Sequence, residues 1–185
     1  MKGIFLISLL FLLIGCHNSK ELSTSEKEEY LALGDSISNR AQMVLLSNVG
    51  KQIQENGTVG AVDFCNEKAI FLTDSVSSEF STKIQRLTDK YRNPQNAIKS
   101  KTDKKAWEEL QDNPKNKHLV LQENNSVHYY KSIPIGMPTC LMCHGNKQTD
   151  ISSETLKIID LKYPKDKATD YKMGDLRGMW KIQLN

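Results

Sequence analysis

Cys140-Leu141-Met142-Cys143-His144 is the stretch of this chain whose residue types and spacing carry the clearest chemistry. Two thiols so spaced can add across the two vinyl groups of a haem as thioethers, and the adjoining histidine can then bind the iron from one face. A C-x-x-C also serves as a redox dithiol, as half of a zinc site or as a disulfide. A thioredoxin-type dithiol follows a strand early in a βαβ unit, whereas this one comes late, between Pro138 and Gly145. Zinc needs two further ligands, for which Cys65, His118 and His128 are available. One covalent haem c, with Cys140, Cys143 and His144 as its attachment and ligand, is the first expectation, and zinc or a dithiol the alternative.

Covalent haem attachment takes place on exported chains, and the N-terminus carries an export signal. Lys2 precedes an apolar run from Ile4 to Ile14, interrupted only by Ser8 and followed by Gly15-Cys16. The run is far short of the roughly 20 residues that span a bilayer, so it reads as a signal segment. Leu13-Ile14-Gly15-Cys16 resembles the bacterial lipoprotein box, which makes Cys16 the lipidated residue of the mature chain. Several acyl chains hold a protein at a membrane far more firmly than one. The expected location is therefore the cell envelope or periplasm, anchored by lipid, with residues 1–15 as signal peptide. Residues 16–29 are polar after Cys16 and lack an apolar period, as a flexible tether would. Residues 30–185 have the length of a single domain. The formal charge of +3 falls to +2 once Lys2 is removed, a balance that gives no support for nucleic-acid binding.

Those chemical residues need elements to position them. Leu33, Ile37, Ala41, Leu45, Val49 and Ile53 recur at every fourth position, which predicts a long amphipathic helix ending at Asn56-Gly57. Its apolar stripe faces a core, and it is also a candidate contact for a homodimer. A second helix follows Thr58 through Ala61, Val62, Cys65, Ala69 and Leu72, with Cys65 on its apolar side. A buried small residue is the ordinary role of a free cysteine. Cys65 is also a candidate sixth ligand, alongside His118, His128, Met137 and Met142. Arg92-Asn93-Pro94-Gln95-Asn96 is a turn, and Thr102 or Asp103 caps a short helix containing Trp107. Alternating residues 118–122 and 127–135 flank Glu123-Asn124-Asn125-Ser126 as an antiparallel hairpin. A short helix over 151–160, a loop at 163–166 and a closing strand over 178–184 complete an α+β domain.

Taken in order, several of these segments match a pattern. Ala61-Val62-Asp63-Phe64-Cys65, Arg86, Arg92-Asn93-Pro94-Gln95-Asn96, Trp107-Glu108, Cys140-Leu141-Met142-Cys143-His144-Gly145, Tyr163-Pro164, Gly174-Asp175 and Arg177-Gly178 resemble a family of exported bacterial and cyanobacterial c-type haem proteins. The resemblance covers essentially the whole domain and implies a PAS-like antiparallel sheet, with a long N-terminal helix and flanking short helices. It also implies that His144 and Cys65 hold the iron from its two sides. Arg86 and Arg92 would then be bidentate partners of the haem propionates, against the alternative of solvated surface charges or salt bridges within the fold.

Such a protein is expected to act in one-electron transfer or in haem-based redox or gas sensing, passing its signal to a separate redox or signalling partner. Thiolate ligation favours the ferric form and a low potential. Two occupied axial positions argue against oxygen carriage and against a peroxidase. The enzyme alternative is a peroxidase- or reductase-type haem protein with a labile sixth ligand, for which His118 or His128 would supply the acid/base group.

Overall fold

The computed structural model describes residues 21–185. The expected signal segment, Cys16 and the start of the tether lie outside the described residues. No helix among the described residues is long and apolar enough to cross a membrane.

Helix α1 spans Thr24–Glu79 and is broken at Gly57. It begins inside the stretch expected to be a tether, and the reason is local. Ser23 accepts a hydrogen bond from the Glu26 backbone N–H, and the Glu26 carboxylate accepts the Ser23 N–H at 2.8 Å. This capping box satisfies amide groups that a helix end otherwise leaves bare, so a first turn with no apolar residue still holds. At Gly57 the backbone takes φ +65°, a conformation that costs glycine little. There the chain doubles back. A straight helix would separate Arg40 from Glu79 by about 58 Å, yet their side chains form an ion pair at 3.1 Å. The helix end predicted at Asn56-Gly57 is thus a reversal between two antiparallel arms.

Four strands follow, β1 (Ile84–Leu87), β2 (His118–Glu123), β3 (Ser126–Pro134) and β4 (Leu176–Gln183). They form one antiparallel sheet in the order β1-β4-β3-β2. The predicted hairpin is β2–β3, closed at Asn124-Asn125 with Glu123 opposite Ser126. β1 was not expected, being four residues long with two long polar side chains among them. Period-two alternation gives the sheet two dressed faces. Ile84, Tyr129, Trp180 and Ile182 meet Ile37, Ala41 and Val76 of the two α1 arms. On the other side Leu87, Tyr130 and Met179 meet Ala106, Trp107 and Leu110 of α2 (Lys101–Asp112). Ser100, two or three residues before the expected caps, accepts the Asp103 N–H at 3.0 Å and starts α2. The remaining helices are α3 (Pro138–His144) and α4 (Ser153–Lys162). The result is the α+β architecture expected, with a long N-terminal helix and short helices around the sheet.

Two contacts hold the helices to register. Gly34 lies so close to the Tyr129 ring that an added Cβ would come within 2.2 Å of Cγ. Gly34→Ala should therefore cost about 1–3 kcal/mol by overpacking, read as a lower denaturation midpoint. On the opposite face, Asp103 accepts from Tyr130 Oη at 2.8 Å and pairs with Lys181 Nζ at 2.7 Å. Burial alone would raise the Asp103 pKa, but the hydrogen bonds from Lys181 and Tyr130 outweigh it and hold the carboxyl below its ordinary value. A depressed carboxyl stabilises the fold above the unfolded pKa of about 3.9 and loses that contribution as pH falls through the folded one. Asp103→Asn should cost about 3 kcal/mol near neutrality and flatten the decline in stability below pH ~4, as urea titrations across pH will measure.

Candidate functional site

The two arms of α1 enclose an apolar space with β1, the loop around Arg92, and α3. Its volume is about 410 Å³, within the usual range for a small-molecule site. The first arm contributes Leu45, Leu46, Val49 and Ile53, and the second Ala61, Val62, Cys65, Ala69 and Ile70. Arg86, Arg92, Cys140, Cys143 and His144 line the same space, so the attachment cysteines, the implied ligands His144 and Cys65 and both candidate propionate arginines meet there. Met137, Tyr163 and Arg177 join them.

α3 explains how five residues of sequence become one chemical surface. Pro138 occupies the first turn, where its missing N–H costs nothing, and the helix ends as Gly145 N–H donates to Leu141 O at 2.8 Å. Residues three and four apart on a helix are neighbours on one side, which groups Cys140 with Cys143 and His144. Both cysteines are free thiols, as is Cys65.

The histidine is held in a defined protonation state. His144 Nδ1 lies 2.8 Å from the Ala168 carbonyl oxygen and 3.3 Å from Arg177 Nε. A carbonyl only accepts and a guanidinium only donates, so these contacts cannot both be hydrogen bonds to one nitrogen. The shorter one places the proton on Nδ1 and leaves the Nε2 lone pair available as a metal ligand. Burial, then Arg177 and Arg92, hold the His144 pKa well below its usual value. Burial pushes the Cys65 thiol up, against the pull of Arg86 and Arg92. Cys143 is pushed up to about 11, again by burial.

The arginines divide into two kinds. Arg92 is clasped. Its Nε and Nη2 donate to the Asp166 carboxylate at 3.1 and 3.3 Å, and Nη2 also reaches Cys143 O at 2.6 Å and Ala168 O at 3.3 Å. It therefore ties the end of α3 to the carbonyl that orients His144, in the internal salt bridge named above as its alternative role. Arg86 and Arg177 have no carboxylate within salt-bridge distance among the described residues. Period two on β1 places Arg86 on the α1 face of the sheet, where its guanidinium lies 6.0 Å from the centre of the Trp180 ring. Arg177 Nη1 donates to Lys90 O at 3.5 Å, and its guanidinium stands 5.5 Å from the Tyr171 ring centre. Burial lowers the pKa of both, that of Arg177 to about 10.

The remaining ligand candidates fall elsewhere. His118 sits by Tyr129 Oη at 3.3 Å and Asp35 at 3.4 Å, and His128 lies 3.7 Å from Glu123, neither lining the cavity. Met142 is exposed on the outer side of α3 and is absent from the lining. Cys65 and Met137 are the sixth-ligand candidates that do line it. Among the described residues no three His, Cys, Asp or Glu side chains gather into a metal cluster. Sequence reading assigned no role to Asp166, Ala168 or Arg177. Arg177 was visible only as half of Arg177-Gly178, and Asp166 only as part of a loop. Arg92→Leu strands the Asp166 carboxylate, itself only 7 % exposed. It should destabilise the protein by about 3 kcal/mol, and Asp166→Asn in the same chain should recover part of that loss, measured by a double-mutant cycle in denaturant.

Comparison with known proteins bears on the fold and the family. No curated protein matches the chain. Among solved structures it is similar to the crystal structure of the cyanobacterial haem protein Tll0287, at 23% identity with a TM-score of 0.68. The match covers 84% of this chain and 94% of that one. The family model for Tll0287-like proteins matches residues 17–185, and the chain therefore belongs to the Tll0287-like family.

Proposed function

We propose that the chain carries one covalent haem c and serves in one-electron transfer or redox sensing. The observation that carries this reading is the meeting of Cys140, Cys143, His144 and Cys65 on one cavity whose other walls are apolar. Two free thiols match two vinyl groups, a neutral imidazole with its proton on Nδ1 offers a lone pair, and the aliphatic side chains of α1 suit a flat apolar ring. Haem iron supplies one-electron chemistry when bound. The residues themselves do the rest. Cys140 and Cys143 tether, His144 ligates in an orientation fixed by Ala168 O, and Cys65 is the second ligand. The α1 arms supply an aliphatic wall, beside which charge interactions are stronger than in open water. A thiolate from Cys65 favours the ferric state and a low potential.

Neither His118 nor His128 lines the cavity, which weighs for an electron-transfer or sensing role over a peroxidase-type enzyme. Membership of the Tll0287-like family and the similarity to a cyanobacterial haem protein support haem binding. Export, a lipid anchor at Cys16 and a separate redox or signalling partner belong to the same proposal. They rest on the N-terminal sequence and on the envelope location that covalent haem attachment requires.

The test is the visible spectrum of the full chain produced with a cytochrome c maturation system. A Soret band that survives denaturation is expected, and Cys140→Ala with Cys143→Ala should abolish it. Cys65→Ala should shift the ferric Soret band and raise the midpoint potential. A band that washes out of the denatured protein would overturn covalent attachment, and indifference to Cys65→Ala would overturn thiolate ligation.

A further inference from the structure

Three guanidiniums, those of Arg86, Arg92 and Arg177, line one cavity. One carboxylate, Asp166, stands in ion-pair distance of any of them among the described residues, and it belongs to Arg92. The cavity is thus left with two half-buried cations that the protein itself does not neutralise. Burying an unpaired charge costs far more than burying a paired one, so such a pair persists where a ligand brings the opposite charge. A haem carries two peripheral carboxylates. Resting on the haem reading above, the geometry points to Arg86 and Arg177, and not Arg92, as the two partners of the haem propionates.

The division of labour follows from what each guanidinium is already doing. Arg92 spends its donors on Asp166, Cys143 O and Ala168 O, so recruiting it would unclasp the end of α3 and strand Asp166. Arg86 makes no hydrogen bond among the described residues beyond its approach to the Trp180 ring. Arg177 makes one long bond, to Lys90 O at 3.5 Å. Its approach to His144 Nδ1 opposes two protonated nitrogens, since Nδ1 keeps its proton to donate a hydrogen bond to Ala168 O. Both retain a guanidinium edge for a carboxylate, the geometry to which the planar fork is suited. Arg86 arrives from the last residue but one of β1 and Arg177 from the start of β4. The two cations therefore approach the site from neighbouring strands of the sheet, while the thiols and His144 come from α3.

Ferric mesohaem separates this role from attachment, since its ethyl groups cannot form thioethers, and its dimethyl ester removes both carboxylate charges. Apo full-length protein, made without the maturation system, is titrated with each ring and the Soret change gives both affinities. The ratio of the two is read within a single variant, so a general loss of folding lowers both affinities and leaves the ratio alone. Wild type should prefer the free acid. Arg86→Gln and Arg177→Gln should each cut that preference by about tenfold, the worth of one charge-assisted hydrogen bond. Lysine at either position should restore part of it, and Arg92→Gln should leave the ratio unchanged. A ratio insensitive to both Arg86→Gln and Arg177→Gln overturns the assignment, as does its collapse in Arg92→Gln alone. If wild type binds neither ring, the haem reading itself falls and this assignment with it.

Discussion

The guanidinium of Arg92 sits where three stretches of chain meet. It joins the turn after β1, the last residues of α3 and the loop before β4, through Cys143 O, Ala168 O and the Asp166 carboxylate. Ala168 O in turn accepts the proton of His144 Nδ1, so the same clasp reaches the imidazole at one remove. Both partners of the ion pair are nearly fully buried, where the interaction is strong and a missing partner is costly. With the backbone bonds that Gly145 O and His144 O accept from Asp170 and Tyr171, this side chain fixes the direction in which two thiols and a histidine face.

The second wall has a different origin. A single glycine with φ +65° lets one helical segment supply both arms, and the arms meet the sheet through Ile37, Ala41 and Val76. Beyond that contact they flank the cavity, one offering Leu45, Val49 and Ile53 and the other Cys65 and Ala69. The aliphatic wall and the candidate thiol ligand are thereby on opposite limbs of a hairpin that a sequence reading sees as two successive helices.

What was readable in advance was whatever is local. The C-x-x-C-H group was legible as a motif, though not the helix α3 that carries it; the β2–β3 hairpin was legible from alternation around Asn124-Asn125, and Cys65 from its place on an apolar stripe. The start of α1 was misjudged because an apolar period was sought where a capping box carried the turn. β1 escaped because four residues containing Gln85 and Arg86 give too short an alternation to register. The pairing of Arg92 with Asp166 joins residues 74 positions apart, and nothing in the composition of either neighbourhood announces the other. Arg177 escaped for the same reason, since its importance lies in what surrounds it in space. Single-sequence reasoning found the groups that do chemistry more readily than those that aim them.

The strand order has a kinetic meaning. β4 lies between β1 and β3, yet it comes last of the four in the chain, and its pairing of Ile182 with Ile84 spans most of the domain. The α1 hairpin is local and can form early, whereas the sheet has no centre until residues 176–183 have emerged. Until then β1 has no strand beside it, and the α1 arms lack Trp180 and Ile182 of the face they pack on. The C-x-x-C-H segment precedes β4 in the chain, so it is made before the strand that completes the sheet.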